Sequence, residues 1–236
     1  MLLNGIPKHI AVIMDGNRRY GIKTYNNSLL GHVDGAEKLN DFIIWSIQEK
    51  IEIVTVYAFS SENWSRSDKE IECILNIFEK FADKLLNEVV ARNIRVRFIS
   101  TNTERIPNII KLKIQNLELI SKDCNGITLN VCLSYGGQDD ILAACKKITD
   151  EIKTAIDPET IIINKEYFRS KLCSCDISDP DLLIRTSGEL RISNFLPWQL
   201  AYSEFFFIDK CWPEITQIDF QDAINNYSTR IRRHGV

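Results

Sequence analysis

The sequence predicts a single α/β domain with a central, mostly parallel sheet of about six strands covered by helices. Three observations carry that expectation. Short β-branched runs alternate with longer stretches of helical periodicity. Most of the short runs are apolar throughout, as in strands buried on both faces of a helix-covered parallel sheet. The chain has 236 residues, of which 44% are apolar, enough for a sizeable core, and no linker, low-complexity tract or internal repeat divides it.

In chain order, residues 9–14 form the first expected strand and 35–50 a covering helix with Ala36, Leu39, Ile43 and Ile47 on one stripe. Residues 53–59 are the second strand. The helix expected over 68–92 is the most informative: Ile71, Leu75, Phe78, Ala82, Leu85 and Val89 recur at helical spacing, and Ile74, Ile77, Phe81 and Leu86 widen the stripe. That face exceeds what one sheet contact needs, and suits either a core or dimer helix with coiled-coil-like spacing or one wall of an apolar ligand tunnel. Further strands are expected at 95–99, 127–133, 181–185 and 204–208, and a last helix at 218–233 opening at Asp219. Asp140 reads as a carboxylate at a helix N-terminus, and 158–164 and 173–180 read as loops.

Composition narrows the function. With 29 Lys and Arg against 32 Asp and Glu, the net charge of -3 excludes a globally basic nucleic-acid binder. No run approaches the roughly 18 to 20 apolar residues of a membrane span, and the first residues lack a signal peptide's order, so a cytoplasmic protein is expected. The 7 cysteines include no paired C-x2-C, and no histidine lies near Cys173 and Cys175, so ordinary thiols are expected rather than a zinc site or disulfides.

Open parallel sheets bind ligands beyond the carboxyl ends of their strands, and there the chemistry-bearing residues collect. Asp15-Gly16-Asn17-Arg18-Arg19-Tyr20 follows the first strand: a glycine turn whose N–H groups and arginines suit an anion, with a carboxylate at its mouth. Ser60-Ser61-Glu62-Asn63-Trp64-Ser65-Arg66 follows the second. After the fifth, Arg185 and Arg191 flank Gly188, with Ser193 nearby, which suits a second phosphate-bearing ligand. Glu204 stands beside Phe205, Phe206 and Phe207, costly unless it meets a cation or a metal. There is no G-x-x-x-x-G-K-[ST] loop, no G-x-G-x-x-G after a strand, no G-x-S-x-G elbow and no D-D-x-x-D, which counts against nucleotide hydrolysis, dinucleotide binding, ester hydrolysis and all-helical prenyl transfer.

Taken in order, MDGNRRY at 14–20, Gly31-His32 with Gly35, YAFSSENW at 57–64 with Arg66, SYGG at 134–137, DLLIRTSGELRISN at 181–194, LPWQLAYSE at 196–204 and Arg233-His234-Gly235 form a specific set. The chain resembles the cis-prenyltransferases, most closely the bacterial undecaprenyl diphosphate synthases, over nearly its whole length. The resemblance implies a magnesium-dependent homodimer that extends an allylic diphosphate, usually farnesyl diphosphate, by repeated condensation with isopentenyl diphosphate into a long cis-polyprenyl diphosphate, a lipid carrier precursor. It assigns Asp15 as catalytic carboxylate and metal ligand, with Glu204 as a second ligand. Gly16, Asn17, Arg18, Arg19, Tyr20 (where many members have Trp) and His32 fall on the allylic diphosphate side. Ser60, Ser61, Glu62, Asn63, Trp64 and Arg66 line the reacting centre, with Asn63 as proton acceptor. Arg185, Arg191, Ile192 and Ser193 hold isopentenyl diphosphate, and Arg233 and Gly235 reach the partner's site.

The physics agrees with the resemblance. Departure of diphosphate leaves an allylic cation and a highly charged leaving group, so cations belong at the phosphate and a dry channel behind the carbon chain. The 68–92 stripe and the strand near Leu129 then read as tunnel wall, and any membrane contact is peripheral. A neutral amide is a very weak base, so the departing diphosphate or a water is an alternative to Asn63. Ser28 stands where many members have an arginine, and Leu190 where some have a histidine. A chain-terminating early member and a non-catalytic partner subunit are the rival readings; Asp15 and the Arg185/Arg191 pair oppose the second.

Overall fold

A computed structural model describes residues 5–230. Six strands form one all-parallel sheet: β1 (His9–Ile13), β2 (Ile53–Ser60), β3 (Ile94–Ile99), β4 (Ile127–Tyr135), β5 (Leu182–Thr186) and β6 (Glu204–Ile208), in the spatial order β3-β4-β2-β1-β5-β6. The helices are α1 (Asn17–Tyr25), α2 (Leu30–Gln48), α3 (Asp68–Glu88), α4 (Asn108–Ser121), α5 (Gly137–Thr154), α6 (Lys165–Arg169) and α7 (Gln217–Thr229), with a short 3-10 turn at Ser61–Ser65. This is the single α/β domain expected from the sequence.

Alternation along the strands divides the core into two layers. Ile10, Val12, Val54, Val56, Leu129, Val131 and Ile184 meet α2, α3 and α7 through Leu39, Phe42, Ile43, Ala82, Leu85 and Phe220. Phe42 lies at the centre of that layer, its ring 5.5 Å from Trp212 and 4.9 Å from Phe220. Ala11, Ile13, Cys132 and Leu183 point the other way, onto Phe195, Leu196 and Leu200. The chain leaves β1 toward β2 but leaves the adjacent β5 toward β6, on the opposite side. That divergence opens a crevice between the carboxyl ends of β1 and β5, the switch point where such sheets bind ligands.

The differences from expectation are local. α2 begins at Leu30, ahead of the expected residue 35, and α3 ends at Glu88. The expected turn at 15–20 is mostly helix: only Asp15 and Gly16 form it, and α1 starts at Asn17. Gly16 has φ 98°, and a Cβ there would lie 2.9 Å from Cys211, so glycine alone allows strand to pass into helix so abruptly. α7 ends at Thr229, with Arg230 already extended, short of the expected end at 233; residues 231–236, Arg233 and Gly235 among them, lie outside the described residues. The cysteines are free thiols. Asp140 sits in the first turn of α5, buried, accepting the Tyr135 hydroxyl at 3.1 Å and the Cys173 N–H at 2.8 Å. Among the described residues no helix is long and apolar enough to cross a membrane.

Candidate active site

The crevice is a cavity of about 510 Å³ lined by Asp15 from the turn after β1, Asn17 from the start of α1, His32 from α2, Ser60, Glu62, Asn63 and Arg66 from the end of β2 and its turn, and Arg185, Ser193 and Asn194 from β5 and the loop after it. Register shifts between β2 and β4 at Tyr57/Phe59 and Phe59/Ser60 mark a bulge beside the site, a common device for re-aiming strand-end side chains.

Asp15 stands at its centre. One carboxylate oxygen accepts the Gly16 N–H at 2.7 Å; the other accepts Arg185 Nη2 at 2.7 Å. Arg185 is 3% exposed. It also donates to the Arg191 carbonyl and, at 2.8 Å, to Ser193 Oγ. A buried guanidinium is tolerated only with such partners, and the pair ties the end of β1 to the end of β5. Its Nε has no partner.

On the allylic side, Asn17 Oδ1 and His32 Nε2 are buried without a hydrogen-bond partner, and both line the cavity. Gly31 and Gly35 let α2 approach so closely; a Cβ at Gly35 would fall 2.4 Å from Asn17 Oδ1. Glu70, in the first turn of α3 and 7% exposed, gathers two arginines, Arg66 Nη1 at 2.7 Å and Arg18 Nε at 3.6 Å, with His32 Nε2 at 3.7 Å. Burial holds the His32 pKa below the usual histidine value, helped by Arg66 and Arg18 and opposed by Glu70, so the ring is neutral at pH 7. At the rim, Glu189 plays the same part, bridging Arg19 at 3.5 Å and Arg191 at 2.5 Å; Arg191 holds its carboxyl below the usual glutamate range. Glu70 and Glu189 escaped the sequence reading, although Arg66 and Glu70 stand at helical i, i+4 spacing.

Other expected residues occupy different places. Asn63 lines the cavity, and its Oδ1 accepts the Ser60 N–H at 3.0 Å, leaving its amino group as the free end. Trp64 donates to Ser134 Oγ at 2.8 Å and packs edge-on against Phe59, bracing the turn instead of lining the cavity. Ser61 donates to Asp139 at 2.7 Å. Tyr20 contacts Tyr25, their ring centroids 6.1 Å apart, and Ile192 packs on the second core layer. Glu204 is not brought to Asp15 within the chain. It pairs in register with Leu182, and Leu182 with Ile10, at the amino ends of the strands and about 16 Å from the level of Asp15 at roughly 3.3 Å per residue. The cation it required is Arg230, 2.5 Å away. Among the described residues no three acidic, histidine or cysteine side chains gather as a metal site.

Below the polar crevice a smaller cavity of about 100 Å³ runs between α2, α3 and the sheet. It shares Met14, Asn17, His32, Ala58 and Ile74 with the crevice and continues along Leu39, Ile77, Phe78 and Phe81. Leu129, expected on its wall, is buried core instead, and so is Ala82.

With that geometry, a family model described as "Putative undecaprenyl diphosphate synthase" matches residues 13–235. The chain belongs to that prenyltransferase family. An isoprenyl transferase of Prochlorococcus marinus is 42% identical over 231 residues, covering 98% of this chain and 84% of the relative. A tritrans,polycis-undecaprenyl-diphosphate synthase (geranylgeranyl-diphosphate specific) of Picrophilus torridus is 43% identical, covering 98% and 90%. Among solved structures, the lavandulyl diphosphate synthase of Lavandula x intermedia, in complex with dimethylallyl diphosphate, superposes with a TM-score of 0.92 at 31% identity over 98% of this chain and 99% of its own. The structure of a probable undecaprenyl diphosphate synthase from Campylobacter jejuni gives 0.81 at 29% identity over 99% and 100%. The family's cis-prenyltransferase fold and this chain's fold are the same.

Proposed function

We propose that the protein condenses isopentenyl diphosphate repeatedly onto an allylic diphosphate, farnesyl diphosphate or a near homologue, to give a long cis-polyprenyl diphosphate of the undecaprenyl class. The observation that carries this reading is a polar crevice with cations on two sides and an adjoining apolar cavity that shares five of its lining residues. Arg18 and Arg66 gather beside His32 on the α1, α2 and β2 side, Arg185 and Arg191 lie on the β5 side, and the apolar cavity adjoins the crevice at Met14, Asn17 and His32. Two anion sites side by side align two diphosphates, and alignment alone removes a large part of the barrier. The apolar cavity accepts the tail. Hydrogen-bond donors on both sides of the crevice would stabilise the departing diphosphate. With the Asn63 oxygen already engaged, the proton lost in each cycle goes to the diphosphate or to water.

Magnesium is the proposed cofactor, and the residues present fit it. Asp15 offers hard oxygen donors and is 34% exposed, and magnesium takes one or two carboxylates and fills its shell from phosphate oxygens and water. When bound, it would supply charge neutralisation on the diphosphate. Glu204 of the same subunit does not join it.

The cavity of about 100 Å³ favours a second reading, a short-chain product; the likeness to lavandulyl diphosphate synthase supports it too. A long product requires α3 to yield as the chain grows. Asp15→Asn tests the catalytic role, because asparagine keeps an oxygen for buried Arg185 where alanine would leave it uncompensated. Turnover should drop about 10² to 10³-fold with the melting temperature held; near-normal turnover would remove Asp15 from the chemistry.

A further inference from the structure

Three segments that carry the two halves of the site meet on Asn194. Ser193 and Asn194 are consecutive left-handed residues, with φ 48° and 63°, a conformation asparagine tolerates better than most side chains. That kink turns the loop after β5 onto the start of α5. The Asn194 carbonyl accepts the Gly137 N–H at 2.8 Å and its Oδ1 accepts the Gln138 N–H at 2.8 Å. The fit is close: a Cβ on Gly137 would overlap Pro197. Its remaining group, Nδ2, donates to Glu62 Oε1 at 2.8 Å. Glu62 lies in the turn that holds Asn63 and leads into Arg66; Ser193, the residue before Asn194, accepts from Arg185. One amide therefore spans the gap between the allylic half of the crevice and the β5 half.

We propose that Asn194 is a positioning residue of the condensation: its side-chain amide fixes the turn after β2 against the loop after β5, and so sets the separation of the two diphosphate substrates. This rests on the two-substrate reading above. Displacements of about 1 Å in such alignment change rates by about 10²-fold, whereas each substrate alone still finds its own cations. The signature is a loss in kcat without a matching change in KM.

Asn194→Asp keeps the oxygen that accepts from Gln138 but faces Glu62 with a second carboxylate. Its kcat should fall about tenfold or more, with both KM values within about twofold of wild type and the melting temperature unchanged. Adding Glu62→Gln restores a donor and an acceptor in reversed sense, and should recover at least about fivefold of the lost kcat, which a purely structural defect at Asn194 would not do. Wild-type kcat in Asn194→Asp, or a double variant no faster than the single, overturns the proposal. If the aspartate variant does not fold, Asn194→Ala takes its place, with a tenfold loss in kcat expected and wild-type kcat overturning the proposal. Wild-type turnover with both substrates is measured alongside; its absence defeats the functional reading itself, whereas an active wild type with an indifferent Asn194 defeats only this inference.

Discussion

The histidine at the start of β1 is buried at the opposite end of the sheet from the crevice. Its Nδ1–H donates to the Ser178 carbonyl at 2.8 Å, and its Nε2 accepts from the Thr55 hydroxyl at 2.7 Å, which in turn accepts from Asn130. Burial pushes the His9 pKa down to about 4. An unfolded histidine titrates near 6.5, so between those values the unfolded state binds more protons than the folded one. The stabilisation is complete above pH 6.5 and is lost as pH falls toward 4. Urea unfolding at pH 7.5 and pH 5 should differ by about 2 kcal/mol from this group, and His9→Gln should flatten that slope; an unchanged slope would place the acid sensitivity elsewhere. At the same scale, Asp15 and Arg185 were legible because strand-end position alone marks them. Glu70 was not, since its partners Arg18, His32 and Arg66 come from three separate segments that only the fold joins. Glu204 was legible as a carboxylate in need of a cation, but pattern alone did not say whether an arginine or a metal would meet it.

At the scale of elements, α3 does two jobs, which is why its apolar stripe is so wide. Ala82 and Leu85 face the sheet core, while Ile74, Ile77, Phe78 and Phe81 line the small apolar cavity. The periodicity of 68–92 announced the surplus face but not which residues served which job, because the two faces differ only by a small rotation about the helix axis. Ala82→Leu is therefore a core substitution that overpacks, costing about 1 to 3 kcal/mol. Ile77→Trp instead fills the cavity. Its product should be shorter than wild type on reversed-phase chromatography, and an unchanged product would place the growing chain elsewhere. α1 was missed because Asp15-Gly16 reads as a turn and the arginines after it as loop, and only the positive φ of Gly16 shows how directly strand becomes helix.

Across the whole molecule, β6 is an edge strand whose Phe205, Phe206 and Phe207 are only half-buried. A strand edge with that aromatic content suits a partner better than water, as in the homodimer that the family resemblance implies. Sedimentation should give about twice 27.2 kDa, and Phe207→Asp should shift it to the monomer; a monomeric wild type would contradict the dimer. Fold class and the ends of the strands were readable from alternation and continuous apolar runs. The joint at Asn194, the carboxylates holding the arginines and the size of the apolar cavity were not, because each depends on how distant loops close on one another.

The most direct measurement incubates the purified protein with farnesyl diphosphate, labelled isopentenyl diphosphate and magnesium, with a chelator control, and resolves the product by length. Long cis-polyprenyl diphosphates that vanish with the chelator are expected; absence of any condensation product, or equal turnover with the chelator present, would contradict the account.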